Sequence, residues 1–315
     1  MTDNRKTTEI LKADNRGLQR AATILKRGGL VAVPTETVYG LAARADRAES
    51  VAAIYAAKSR PNFNPLIVHV ENVKTACKYG VFNEQALCVS KEYWPGPLTL
   101  VLPLLAGANL APEVTAGLPT VALRAPAHPV MRKLLAQTAC PIAAPSANRS
   151  GFVSPTSAEH VLNTLEGRID AVVDGGRCVA GLESTIIAVR QDGSLEQLRP
   201  GPIEVPDALT QRGNLTGGNI ESPGQLASHY APGKPVRLNA VEAQADEFLI
   251  GLGAISGDCS LSETGDLEVA ANNLYDCLHQ AAASQKPRVA VAPIPEEGIG
   301  QAINDRLRRA ATPIV

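Results

Sequence analysis

Apolar residues recur at helical spacing over residues 16–27, where Leu18, Ala21, Ala22, Ile24 and Leu25 share one face and Gly28-Gly29 ends the run. Residues 30–33, 66–70, 98–102, 121–124, 142–144, 171–173 and 184–189 are short, nearly unbroken apolar runs. They predict buried strands, because a strand covered on both faces has no polar side to show. Helical patterns at 48–58, 129–138 and 157–165 fall between them. Strands alternating with helices across short turns predict an α/β domain over residues 1–208.

The pattern changes beyond that point. Residues 211–224 (QRGNLTGGNIESPG) concentrate Gly, Asn, Ser and Pro, the composition of a loop or boundary. Residues 222–235 hold Pro223, Pro232 and Pro235 and read as an extended connector, so 209–235 is expected to be a linker and lid. Apolar runs at 248–251 and 289–292, with helices at 266–283 and 298–310, predict a small C-terminal α/β (Rossmann-like) domain over 236–315. Two units agree with a length of 315 residues.

Composition narrows the function classes. Hydrophobic residues make up 45% of the chain and aromatics 3%, so the core is expected to be aliphatic and stacking platforms for single-stranded nucleic acid are not. A formal net charge of -1 argues against wrapping nucleic acid by bulk electrostatics. The six cysteines show no C-x-x-C spacing, so no structural zinc is expected. The polar start MTDNRKTTEILKADNRG has no signal-peptide core, and no apolar run reaches about 18 residues. A cytoplasmic monomer with reduced thiols and no membrane contact is the expectation.

Neither G-x-x-x-x-G-K-[ST] nor a full dinucleotide fingerprint is present. Six polar clusters instead lie at the ends of apolar strands, where α/β folds place ligands. They are Pro34–Gly40 (PTETVYG), Lys58–Pro65 (KSRPNFNP), Thr120–Pro126 (TVALRAP), Ala144–Gly151 (APSANRSG), Gly181–Thr185 (GLEST) and Leu198–Gly201 (LRPG). Each has a plain structural explanation as well. Lys58 and Arg60 suit a solvated helix end offsetting the dipole, and His69 suits a core histidine. The Ser154–Thr156 stretch suits a helix cap. Taken together, Lys58, Arg60, Arg124 and Arg199 beside small hydroxyl and amide residues favour a ligand with several negative charges.

In order and spacing, VPTETVYGLAA, KSRPNFNPLIVHV, WPGPLTLVL, VALRAPAHP, APSANRSG, GLESTII and LRPG resemble the YrdC-like family of threonylcarbamoyl-AMP synthases. SPGQLASHYAP and GIGQAINDRLRRAA resemble its longer, two-domain branch. The resemblance implies a twisted mixed sheet with a concave ligand site. It assigns Thr37, His69, Arg124 and Ser184 to L-threonine. Arg60, Asn64, Thr120, Ser146, Ser154, Arg199 and Tyr230 fall to ATP, with Lys58 at its phosphates; Lys58 and Arg60 are the expected catalytic cations.

The implied reaction is that of a nucleotidyltransferase. Threonine and bicarbonate form a carbamate, which attacks the α-phosphorus of ATP with Mg2+ on the phosphates, and the adenylate supplies tRNA threonylcarbamoyladenosine modification. Expected partners are the downstream tRNA threonylcarbamoyl transferase machinery and, through a weak contact, tRNA. Two rivals stand beside this reading. One is an RNA-binding or ribosome-associated module using the same concave face. The other is the carbamoyl-transfer enzyme of hydrogenase maturation, whose cysteine-pair zinc motifs are absent here.

Overall fold

The computed structural model describes residues 7–204, 210–212, 221–222 and 228–312. Most of the expected 211–224 loop, the 208/209 boundary and connector residues 223–227, Pro223 among them, lie outside the described residues. The first part of the chain runs β1 (Glu9–Lys12), α1 (Asn15–Lys26), β2 (Val31–Val33), β3 (Gly40–Arg44), α2 (Ala48–Lys58), β4 (Ile67–His69), α3 (Val73–Ala76), α4 (Glu84–Tyr93) and β5 (Leu98–Pro103). It continues through α5 (Pro112–Thr115), β6 (Thr120–Arg124), α6 (Pro129–Thr138), β7 (Ile142–Ala143), α7 (Ala158–Leu165), β8 (Ala171–Asp174), β9 (Thr185–Val189), β10 (Leu195–Arg199) and β11 (Thr210–Arg212). The second part is β12 (Val236–Arg237), β13 (Glu247–Gly251), β14 (Cys259–Ser260), α8 (Leu267–Ala283), β15 (Arg288–Val291) and α9 (Gly300–Ala311).

Local chemistry accounts for the main boundaries. Asp14 caps α1 by accepting from the Gly17 amide, and Gly28, at φ +92, lets the chain leave the helix. Ser157 caps α7 in the same way, accepting from His160 N. Some strands escape the apolar pattern. In β1 only Leu11 is buried, because the strand edges the sheet beside β8. In β3 the run Gly-Leu-Ala-Ala-Arg has poor strand propensity, yet it is pinned antiparallel between β2 and β7.

The large sheet orders its strands β1-β8-β2-β3-β7-β4-β6-β5-β9-β10-β11 and mixes parallel with antiparallel pairs. The small sheet, β12-β15-β13-β14, is parallel throughout, with α8 and α9 supplying its helices. Its apolar core does not stop at the second part. Val38, Val153, Leu182 and Tyr230 join Ile250, Leu274, Leu278 and Ile303 in one cluster. At Gly181, φ +67, a Cβ would stand 2.5 Å from Asn272 Cα, so only glycine lets the first part approach α8 this closely.

Candidate active site

The strand order explains why clusters far apart in sequence meet. β2, β3, β7, β4, β6, β5, β9 and β10 are consecutive in the sheet, and their flanking loops surround one cleft. It is lined by Thr37, Arg60, His69, Arg124, Ser146, Glu183, Ser184, Arg199, His229 and Tyr230, among others. A second crevice, between Gln197–Glu204 and Gly298–Ala302, has two glutamates and, among the described residues, no cation on its walls. Of these two, the first suits an anionic ligand.

Arg124 ends β6, and parallel pairing sets His69 of β4 directly beside it. Its guanidinium donates through Nε to Gly96 O (3.2 Å), through Nη1 to Thr37 Oγ1 (2.9 Å) and through Nη2 to Glu36 Oε1 (2.6 Å). A guanidinium carries five N–H groups, so two remain for a ligand. Burial pushes the Glu36 carboxyl up, but Arg124 overrides it and holds the group at about 2. Burial, with Arg124 alongside, pushes His69 down to about 3, so its ring is neutral at working pH. Thr35 closes the turn, accepting from the Thr37 and Val38 amides.

Lys58 and Arg60 are not the solvated helix end that their position suggests. Ser59 adopts φ 52 after α2 and turns the chain inward, so Lys58 is buried at 1% exposure and Arg60 at 8%. Lys58 Nζ donates to the carbonyls of Ser146 and Asn148, holding the 146–148 loop from behind. Burial, with Arg60 nearby, pushes its ammonium well below the usual lysine range. Arg60 donates to Asn64 O and to Pro65 O (3.0 Å), and burial lowers it to about 10. Asn64 Oδ1 and His229 Nδ1 are buried without a partner among the described residues.

Eight of the twelve expected residues line the cleft: Thr37, Arg60, His69, Arg124, Ser146, Ser184, Arg199 and Tyr230. Lys58, Asn64 and Ser154 are buried without lining it. Thr120 does not line it either. It opens β6, four residues before Arg124, where β5 pairs it with Pro103 and its side is half-buried.

At the far wall, Ser184 Oγ lies 2.7 Å from Thr99 Oγ1 and accepts from Arg199 Nη2 at 3.1 Å, while Arg199 Nε donates to Ser184 O. Glu183, beside it, belongs to the GLEST cluster but has no role among the expected site residues. Burial raises its carboxyl, yet Arg306 first and Arg199 next hold it at about 2. Glu36 and Glu183 both sit inside the quoted motifs, where a carboxylate among arginines was the available signal. Arg306 lies inside GIGQAINDRLRRAA, but no local pattern there ties it to the cleft.

Residues 23–201 match the Sua5/YciO/YrdC family model, described as "Telomere recombination", and 193–312 match "Threonylcarbamoyl-AMP synthase, C-terminal domain". The threonylcarbamoyl-AMP synthase of Bacillus subtilis is 38% identical, covering 96% of this chain and 95% of its own. That of Pyrococcus abyssi is 36% identical, covering 92% and 93%. The crystal structure of P. abyssi Sua5 complexed with L-threonine superposes with a TM-score of 0.88 at 33% identity, over 96% of this chain and 98% of that one. With both models matched and full-length relatives at this identity, the chain belongs to the threonylcarbamoyl-AMP synthases, a family of transferases, in their two-domain form.

Proposed function

We propose that the cleft joins L-threonine, bicarbonate and ATP into threonylcarbamoyl-AMP and pyrophosphate. The observation that carries this is the pairing of two kinds of anion site in one cleft. Arg124, with Thr37, His69 and Ser184 around it, offers a fork of the size of an amino-acid carboxylate. Arg60 and Arg199, with Lys58 behind, offer a buried cationic wall for a polyphosphate, and Tyr230 offers a ring.

The chemistry needs little more than this. The threonine amine adds to bicarbonate with loss of water, giving a carbamate. A carbamate oxygen then forms a bond to the α-phosphorus as the bond to pyrophosphate breaks. Such transfers depend mainly on positioning and on spreading charge at the reacting phosphate. Arg60 and Arg199 supply the charge and Ser146 a hydroxyl at the cleft, with Lys58 and Ser154 buried behind them. Neutral His69 leaves the threonine amine unrepelled.

Among the described residues no trio of His, Cys, Asp and Glu is gathered to hold a metal. The two carboxylates at the cleft are already tied to Arg124 and Arg306. Magnesium on this reading arrives with ATP, on its phosphate oxygens, as part of the substrate.

No helix among the described residues is long and apolar enough to cross a membrane. The reading has a cytoplasmic monomer handing its unstable adenylate to the tRNA threonylcarbamoyl transferase machinery, touching tRNA weakly. The experiment is product analysis with labelled bicarbonate, L-threonine and Mg–ATP. Label should enter an adenylate, and pyrophosphate should appear only when all three are present. Equal pyrophosphate release without threonine rejects the reading, and tight tRNA binding at moderate salt without turnover favours the RNA-binding rival.

A further inference from the structure

The second domain packs against the wall of the cleft at several points, and most of them fall on one loop. Gly181 lies against the α8 backbone, and Asn272 Nδ2 donates to Val179 O at 2.5 Å. Tyr275, one turn further along α8, donates its hydroxyl to Glu183 Oε2 at 2.7 Å. Arg306 Nε, from α9, reaches the same oxygen at 3.1 Å. The loop is thus fastened at 179, 181 and 183 by side chains and backbone of another domain. Ser184, which follows directly, carries the contacts to Thr99 and Arg199.

The same two side chains also hold Tyr230, another lining residue. The Tyr275 ring stacks on Tyr230 with centroids 5.7 Å apart and planes at 28°, and the Arg306 guanidinium stands 5.5 Å over the Tyr230 ring. Domain packing alone does not call for this arrangement. Arg306 is fully buried at 0% exposure, and a buried charge is expensive where apolar residues would join two domains as well. It is retained between Asp305 and a carboxylate that lines the cleft.

We infer that Tyr275 and Arg306 are positioning residues for the active site: from the second domain they orient Glu183 with its loop, and the Tyr230 ring. The loop statement stands on geometry alone; its kinetic consequence rests on the function proposed above. Without the Tyr275 hydroxyl, Glu183 keeps a single second-domain donor, and Ser184, with the Arg199 guanidinium bonded to it, follows a loop that has lost one of its fastenings. Substrates then meet a wall that must be ordered at the moment of binding, which weakens binding and leaves the bound chemistry nearly intact.

The test uses the full-length chain with Tyr275→Phe, which removes the hydroxyl and keeps the ring against Tyr230, and with Arg306→Lys, which keeps the charge and loses the fork. Hydrogen exchange in ligand-free protein reads the loop through the Ala180 and Thr185 amides, which donate to Glu36 O and Pro97 O. Exchange in Tyr275→Phe should be about fivefold faster or more. Pyrophosphate release at varied ATP and L-threonine should show both KM values raised roughly fivefold to tenfold, with kcat within about twofold. A role in folding alone would reduce the active fraction, lowering kcat and leaving KM where it was. Unchanged exchange in Tyr275→Phe, or unchanged KM beside a lower kcat, overturns the inference. Arg306→Lys should move KM in the same direction; if it does not fold, Tyr275→Phe decides. If the parent protein releases no threonine-dependent pyrophosphate, the functional reading falls, and the exchange measurement still judges the loop.

Discussion

Arg124 is bound to Glu36 through Nη2 at 2.6 Å, so the guanidinium proposed for the threonine carboxylate is already partly neutralised by its own chain. Both groups are largely out of water, and Glu36 also accepts from the His128 amide. The pair fixes the direction of the fork and leaves two N–H groups for a ligand. It also complicates any substitution at this position.

Arg124→Ala should lose threonine use, by about tenfold or more in kcat/KM, as expected for one charge-assisted contact of about 1.5–3 kcal/mol. It should also lower stability, because half-buried Glu36 is left without its charge partner. Combining Arg124→Met with Glu36→Gln should recover most of the stability and none of the threonine use. Titrating L-threonine in a pyrophosphate assay, beside thermal melts of all three proteins, checks both halves. Normal threonine dependence in a folded Arg124→Ala protein would assign this arginine another role.

Three of the four buried histidines set the acid limit of the fold. Burial is the leading cause in each case, and His69, His229 and His279 are pushed from 6.5 to about 3. A group that binds its proton less readily folded than unfolded favours the fold at high pH. Its contribution is fully present above about 6.5 and is lost as pH falls toward 3. Each can add up to about 1.4 kcal/mol per pH unit across that window. Glu36 and Glu183, held at about 2, extend the loss below 4.5. Denaturant midpoints should therefore drop steeply between pH 6.5 and 4.5. A midpoint unchanged between pH 7.5 and 5 would refute the buried-neutral assignment.

The strands that build the cleft were legible because their apolar runs are buried on both faces, as in Val31–Val33 and Thr185–Val189. Edge and small-residue strands were not. β1 shows a single buried residue, and β3 depends on its neighbours rather than on its own propensity. In the cleft, the polar clusters were visible as strand ends, but their burial was not. Lys58 reads as a helix-end cation until the left-handed Ser59 turns it inward. The Arg306–Glu183 contact joins positions 123 residues apart, and no local pattern encodes such a distance.

Burial changes what is expected of Lys58→Met. A solvated helix-end substitution would stay within about 0.5 kcal/mol of parent stability. Here the carbonyls of Ser146 and Asn148 lose their donor, at about 1–3 kcal/mol for each group left unpaired in the interior. Lys58→Met should therefore lower both the melting temperature and ATP turnover. Arg60→Met should behave alike, since its guanidinium bonds the Asn64 and Pro65 carbonyls. A melting temperature equal to the parent's would show that the 146–148 loop holds without the lysine.

Tyr230 has two roles that one substitution would confuse. It lines the cleft as the expected ATP contact, and it also packs into the second domain's core on Tyr275 beneath Arg306. A residue that only joined domains would matter to stability, whereas a lid residue would matter to nucleotide binding and to keeping water from the adenylate. Tyr230→Phe keeps the ring, its stacking and its volume, and removes the hydroxyl alone. It should melt within a few degrees of the parent. Tyr230→Ala removes about one aromatic side chain from a buried site, where such losses run to about 3–5 kcal/mol, so its melting temperature should fall clearly. Limited proteolysis within 222–235 separates the roles further. A lid should become protected on adding Mg–ATP with L-threonine, in the parent and in Tyr230→Phe alike, and protection should be lost in Tyr230→Ala at a temperature where both domains remain folded. Cleavage that ignores ligands in the parent, together with normal turnover by folded Tyr230→Ala, would leave Tyr230 as packing between domains and nothing more.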